Sequence, residues 1–422
     1  MEDAKRKVTY RLYPSAGQEK ALKEMLRLHQ TLYNAALQER IDAYKRQKKT
    51  ITYYDQCKSL TEIRSFSSEY ATLNAQSEQM TLKRLHRAFD AFFRRIKLKE
   101  KAGFPRFKSI NRYPGWGYAT HGDGWRLHAG DSLKNGKLKL SGIGMIKLRG
   151  KAKTGDGTPK TCEIICREDK WYASVTIYCN PKRNSGAHAI GLDWGIETAI
   201  TTVDESGALT EISNPRFSGN RVNEIRSAQR ALAKRRYRST NWNKARLKLA
   251  RLQGKIARQR HDWSHKVTNE ITKNAALIAT EKLQIKKMSQ SARGTPDSPG
   301  RNVKAKAGLN REILSTCPGK LIAMLKYKAE EAGIKFYEYD PKKIKPSQTC
   351  SGCAAVVKKS LSEREHRCSL CRTALGRDEN AARVVLNFAL YGQAVSGREP
   401  PFAERCSLEP SLKQESPSIA QA

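Results

Sequence analysis

Residues 187–212 read AHAIGLDWGIETAITTVDESGALTEI, and their reading decides the fold. Three short strands joined by tight turns, Glu205-Ser206-Gly207 among them, predict an antiparallel meander. Asp193 closes the first strand, in AIGLDWG, behind an otherwise apolar run. An unpaired charge at such a place is costly, and acids are rare there.

Two more acids share that situation. Glu281 ends the buried-type strand AALIATEKL, and Asp378 stands where a helix begins, in GRDENAA. Alone, Asp378 reads equally as a helix cap or first-turn acid. Three carboxylates brought together repel one another unless a cation neutralises them, and carboxylate oxygens suit Mg²⁺. Two such ions can activate a water and stabilise the leaving oxygen of a phosphodiester. An acid on the first strand, one on the fourth and one on a later helix is the arrangement of RNase H-like nucleases. Asp193, Glu281 and Asp378 are therefore the candidate catalytic and Mg²⁺-binding residues.

Between the second and third acids lie two C-x-x-C pairs, Cys350/Cys353 and Cys368/Cys371. Each pair offers two thiolates to one tetrahedral ion, which predicts a closed structural zinc site with no position left for water. The competing readings are four unrelated buried thiols, or a redox pair, which calls for a single C-x-x-C near a βαβ unit. His366, beside the second pair, is expected on the surface or facing DNA. Cys162 and Cys166, in TCEIICRE, are expected to be packed strand residues.

The 422 residues carry 80 Lys+Arg against 41 Asp+Glu, a formal charge of +39. That excess points to a polyanion, because neutralising phosphates releases counterions. Residues 221–260 concentrate it, with fourteen Lys/Arg and the single acid Glu224. A solvated face is the plain reading of a charge run, yet one sign at this density favours a phosphate-tracking surface. Arg235, Arg236 and, beside the third acid, Arg377 are candidate nucleic-acid contacts. No apolar run is long enough to cross a bilayer and the N-terminus lacks a signal-peptide core, so a reducing interior is expected. The expectation is a cytoplasmic, nucleoid-associated prokaryotic protein, with a monomer favoured.

The rest of the chain divides by period. KVTYRLYPS reads as a strand through Val8, Tyr10 and Leu12, and Ser15 with Gln18 forms a capping box. Leu22, Leu26, His29, Tyr33, Leu37 and Tyr44 mark one helix. Leu82, Leu85, Phe89, Phe92, Phe93 and Ile96 mark a second. From about 101 to 185 the period is two, in GKLKL, GMIKLRG, TCEIIC and KWYASVTIY, with turns expected at Asn-Gly, Gly-Asp-Gly and Glu-Asp-Lys. A small barrel or sheet follows, interrupted by the helices. Residues 221–275 should be helical, 287–308 a mobile loop, 309–333 a helix and IKFYEYD a strand.

Taken together, RLYPSAGQEKAL, YNAAL, GFPRFKS, IGLDWGI, RQRHDWSHK, ATEKL, KPSQTCSGC and CSLCRTALGRDENAA resemble the TnpB family of transposon-encoded RNA-guided nucleases, related to miniature type V CRISPR effectors. The resemblance implies a multidomain α+β and α/β chain. A split RNase H-like (RuvC) nuclease domain would occupy 186–345 and 375–395, with the basic helical region at 215–275. A zinc ribbon would be inserted at 346–374. A wedge-type β-barrel would occupy 1–14 and 101–185, with a helical recognition module at 15–100 and a disordered tail at 396–422. It further implies guide RNA derived from the transposon end, a double-stranded DNA target with a short flanking motif, and Tyr53 and Gln79 near that motif. The family often has Gly after the second and fourth cysteines, where this chain has Ala354 and Arg372, and an acid where it has Gly376. These departures bear on the shape of the zinc loops. The competing functions are a nuclease-inactive RNA-guided regulator, which would be expected to lack one acid, a miniature CRISPR effector, and a transposase.

Overall fold

The computed structural model describes residues 4–129, 135–150, 157–179, 183–360 and 363–395, in two units that meet between residues 181 and 182. The expected tail at 396–422 lies outside the described residues.

In the first unit, β1 (Ala4–Tyr13) alternates as read, burying Tyr10 and Leu12. Ser15 and Gln18 then close both hydrogen bonds of the capping box that starts α1 (Ala16–Gln47). Next come α2 (Tyr53–Phe66), α3 (Ser68–Ala71) and α4 (Ala75–Lys97). The strands are β2 (Gly115–Tyr118), β3 (Trp125–Ala129), β4 (Asn135–Leu140), β5 (Gly144–Arg149), β6 (Thr158–Arg167) and β7 (Lys170–Cys179). They form one antiparallel sheet in the order β2-β6-β7-β1-β5-β4-β3, so β1 lies at its centre. The Glu-Asp-Lys turn joins β6 to β7, with Glu168 and Asp169 both left-handed at φ 55° and 56°. That is the hairpin turn whose twist matches the strands. Asn135-Gly136, expected as a turn, instead opens β4.

Trp116, Trp125, Tyr118 and Cys162 are buried on this sheet, and Cys166 packs against the same core. Leu22, Leu26, Tyr33 and Leu37 of α1 join them. His29 is enclosed as well, stacked 5.3 Å from Trp116 with Thr81 and Ser77 on its two ring nitrogens. Burial pushes its pKa down to about 3, so it is a neutral core residue. Tyr44, Phe93 and Ile96 depart from the core expectation: each is more than half exposed, near the C-terminal end of α1 or α4.

In the second unit, β8 (His188–Trp194), β9 (Thr198–Asp204) and β10 (Leu209–Ser213) form the expected meander. β11 (Ala275–Glu281) and β12 (Lys335–Tyr339) extend it in parallel, giving the order β10-β9-β8-β11-β12. The basic region is two helices, α5 (Val222–Ala233) and α6 (Thr240–Asn274), broken at 234–239. After α7 (Ile285–Met288), the expected single helix at 309–333 is also two, α8 (Val303–Ser315) and α9 (Pro318–Ala332). Pro318 explains the break, since proline has no N–H to bond backwards and suits the first position of a new helix. α10 (Pro341–Ile344), the paired strands β13 (Glu365–Arg367) and β14 (Ala374–Gly376), and α11 (Arg377–Tyr391) complete the unit.

The sheet has two covered faces. Ile190, Leu192, Ile200 and Ile278 pack with Val267 and Ile271 of α6 and with Leu321 and Leu325 of α9. Ala279, one residue out of phase, packs with Val385 of α11 on the other side.

Candidate active site and metal centre

Strand alternation assigns the acids to the α11 face. In Gly191-Leu192-Asp193, Leu192 enters the α6/α9 core and its two neighbours point the other way. Gly191 is what lets α11 approach, since a Cβ there would lie 2.2 Å from the Ala382 carbonyl oxygen and 2.8 Å from the Leu386 Cβ. Asp378 is one helical turn before Ala382, which brings it beside the end of β8. A Cβ at Gly195 would sit 3.8 Å from its Oδ2. The register pairs Thr280 with Leu192, so the next residue along each parallel strand is Glu281 and Asp193. Three elements distant in sequence thus bring their acids to one corner of the sheet.

The electrostatics agree. All three acids are half-buried. Asp193 is held well above the usual carboxylate range, first by desolvation and then by the charges of Glu281 and Asp378. The Trp194 N–H and the Arg377 guanidinium oppose that shift. Glu281 is raised by desolvation. Trp194 braces the corner by donating its indole N–H to the Thr280 hydroxyl at 2.6 Å. A buried carboxylate whose affinity for protons is raised further by two neighbouring acids marks a site short of positive charge, which fits divalent cations. Their oxygens stand farther apart than the ligands of a closed cage.

The cysteines make such a cage. Cys350, Cys353, Cys368 and Cys371 present sulfurs all within 4.8 Å of one another, the one group of three or more His, Cys, Asp or Glu side chains this tight among the described residues. Cys350 lies 3.5 Å from Cys371, and Cys353 lies 3.5 Å from Cys368. Four thiols from two knuckles fit one tetrahedral ion. The turns close through Ala354 N–H to Cys350 O and Arg372 N–H to Cys368 O, both 2.9 Å. Ala354 and Arg372 are left-handed there, at φ 63° and 60°, the conformation that favours glycine.

His366 corrects the sequence reading. It is fully buried in β13, with Nδ1 against the Lys359 ammonium, and is neither a surface nor a DNA-facing residue. The alternation of a strand too short to read from sequence turns it inward. Asn380 escaped sequence reading altogether. Fully buried in α11, it accepts from the Ser351 N–H at 3.0 Å and donates to the Thr349 carbonyl at 2.7 Å. Two residues from Asp378, it ties the first cysteine knuckle to the helix that carries the third acid.

The candidate nucleic-acid residues scatter. Arg235 and Arg236 are exposed in the α5–α6 connection. Arg377 is half-buried beside the acids, 4.0 Å from Asp378, with Nη1 donating to the Glu363 carbonyl. In the other unit, Gln79 is exposed on α4. Tyr53 opens α2, half-buried and stacked 5.9 Å from His86. The helix α2 was missed, although Thr52 and Asp55 form a second capping box that announces it.

Three family models match the chain. Residues 168–292 match OrfB_IS605, described as "Probable transposase". Residues 319–385, which include the cysteine knuckles, match the Cas12f1-like TNB domain. Residues 1–49 match a helix-turn-helix domain, although here they form β1 and the single helix α1. Along its length the chain is 30% identical to "Putative RNA-guided DNA endonuclease InsQ" of Escherichia coli K12, covering 98% of each protein. It is 26% identical to a "Putative RNA-guided DNA endonuclease" of Streptomyces pristinaespiralis, covering 98% of this chain and 97% of the relative. Among solved structures it shares its fold with Cas12f1 in complex with guide RNA and target DNA (TM-score 0.54, 14% identity, 91% of this chain and 99% of that one). It also resembles the mini-RNA-guided endonuclease Cas_phi3 (TM-score 0.51, 11% identity, 92% of each).

Proposed function

This chain belongs to the TnpB family of transposon-encoded nucleases, and from that premise we propose that it is an RNA-guided DNA endonuclease whose chemistry resides in Asp193, Glu281 and Asp378. The observation that carries the site assignment is their convergence on one face of the β10-β9-β8-β11-β12 sheet, with Asp193 held in its protonated form first by burial and then by the charges of the other two. The three carboxylates would hold Mg²⁺, which when bound supplies an activated water and a neutralised leaving oxygen. The chain's own part is positioning. β8 and β11 fix two acids in register, α11 delivers the third, and Arg377 offsets part of their mutual repulsion. The four cysteines would hold one structural Zn²⁺, which sets the ribbon and, through Asn380, the start of α11. The proposed partners are a guide RNA, which reads the target by base pairing, and a DNA duplex bound through its phosphates. Tyr53 and Gln79 are assigned to the target-flanking motif, and Arg235, Arg236 and Arg377 to nucleic-acid backbone. No helix among the described residues is long and apolar enough to cross a membrane.

The test is cleavage of a target plasmid by protein purified with its co-purifying RNA, in Mg²⁺. Asp193→Ala should slow cutting on the order of 10⁴-fold while RNA retention is unchanged. Equal cutting by the variant refutes the site, and absence of a discrete co-purifying RNA refutes the guide.

A further inference from the structure

The break between α5 and α6 exposes an aromatic pair in a field of arginines. Lys234, Arg235, Arg236, Tyr237 and Arg238 run consecutively, and Trp242 follows in the first turn of α6. The Tyr237 ring meets Trp242 edge-on, 5.0 Å between centroids, and the Arg238 guanidinium lies 5.2 Å from its centre. Arg246 approaches Trp242 at 6.0 Å. After these contacts Tyr237 is still 64% exposed. Its edge-on and cation–π contacts hold the ring in place while leaving one face open to water.

The segment is also fixed in place. Ser239 caps α6 by accepting from the Trp242 N–H at 3.1 Å, and its own N–H donates to the Arg236 carbonyl at 3.1 Å. Asn243 donates to the Arg238 carbonyl at 3.4 Å, holding Arg238 in the left-handed region at φ 64°. The ring is therefore presented by a pinned turn, so ordering it on binding costs little.

Two residues before the ring in sequence, Arg235 ends the lining of a groove of about 650 Å³ whose other walls include Asn223, Arg226, Arg230 and Lys234. Arg226, Arg230 and Lys234 repeat every fourth residue and form one row along α5. Among the described residues, no acid pairs with any of these cations. A row of unpaired cations leading to an open aromatic face is the combination that binds a single strand, with phosphates in the groove and a base on the ring.

We propose that Tyr237, backed by Arg238 and Trp242, is a stacking platform for one unpaired nucleobase, with the flanking phosphates held by the Arg226–Arg230–Lys234 row. The site goes beyond the endonuclease reading but rests on it for the source of the strand, which is either displaced DNA or an unpaired stretch of RNA. The ligand chemistry is the same for both.

The test measures binding with full-length protein carrying Asp193→Ala, so that no outcome depends on cutting. Three labelled probes are used: dT20, rU20 and a 20-base-pair DNA duplex. Tyr237→Ala should weaken single-strand binding by about 5- to 150-fold and leave duplex binding within about twofold. Tyr237→Phe should restore it, since the ring and not the hydroxyl stacks. Arg230→Gln should weaken all three probes and flatten the salt dependence of single-strand binding by about 0.7 in log–log slope. A larger loss on rU20 assigns the platform to RNA, and a larger loss on dT20 assigns it to DNA. Unchanged single-strand binding by Tyr237→Ala, or equal loss on single strands and duplex, overturns the platform. If the parent protein fails to cut plasmid in the separate cleavage assay yet shows this pattern, the endonuclease reading falls and the platform stands.

Discussion

A methyl group added at Gly191 would fall 2.2 Å from a backbone carbonyl of α11, so neither atom can yield without moving the helix. Gly191→Ala should therefore cost about 1–3 kcal/mol in denaturant unfolding. It should also depress cleavage more than RNA binding, because the helix it displaces carries Asp378. At Asp193 the balance of stability turns on protons. Its folded pKa lies above the unfolded value, so in metal-free protein its stability contribution is fully present below the unfolded pKa and is lost as pH rises through the folded one. Glu281 shifts in the same direction. Asp193→Asn should accordingly raise the melting temperature at pH 8 of protein dialysed free of Mg²⁺ without a chelator, with the gain shrinking toward pH 4. A gain that instead grows on acidification contradicts this electrostatic picture. In the knuckles, Ala354 and Arg372 occupy a left-handed conformation that costs an L-residue about 1–2 kcal/mol. Ala354→Gly and Arg372→Gly should each stabilise the ribbon by about 1 kcal/mol, read as slower zinc loss to a chelator.

The ribbon and α11 act as one element, joined by Asn380. Asn380→Ala strands the buried Ser351 N–H and Thr349 carbonyl, a cost of about 1–3 kcal/mol. Stripping zinc with a selective chelator in excess Mg²⁺ should mimic the variant, and the two effects should be less than additive because they act through one contact. This joint marks the boundary of what sequence reading reached. Asp193 and Glu281 stood out because each ends an apolar strand where a charge is conspicuous, Asp378 only as the third acid of that order, and the cysteines because their spacing has few other uses. The meander, β11 and β12 were legible from runs of apolar and β-branched residues. Asn380 and the inward turn of His366 were not, since both are decided by which surfaces meet. The breaks at 234–239 and at Pro318 interrupt patterns that stay helical on either side. Tyr44, Phe93 and Ile96 were read as core because periodicity marks a face without saying where its covering ends.

Across the whole molecule, a formal charge of +39 sets how nucleic acid is held. With six or more phosphates neutralised, affinity for guide RNA or target DNA should fall about a thousandfold or more between 50 and 200 mM salt, with a linear log–log plot. A shallow slope would mean that the charge is spread rather than engaged. The charge and the carboxylates also have different histories. Asp378 follows Glu281 by 97 residues and Asp193 by 185. On a ribosome moving at about 5–20 residues per second, the third acid emerges roughly 10–40 s after the first. The arginines of α5 and α6 precede it in the queue. On the proposed reading, the cationic surface for nucleic acid is therefore synthesised before the chain has the means to cut DNA. Because α11 supplies the last carboxylate, the proposed metal-binding corner is completed late, when the ribbon ahead of it has already been synthesised.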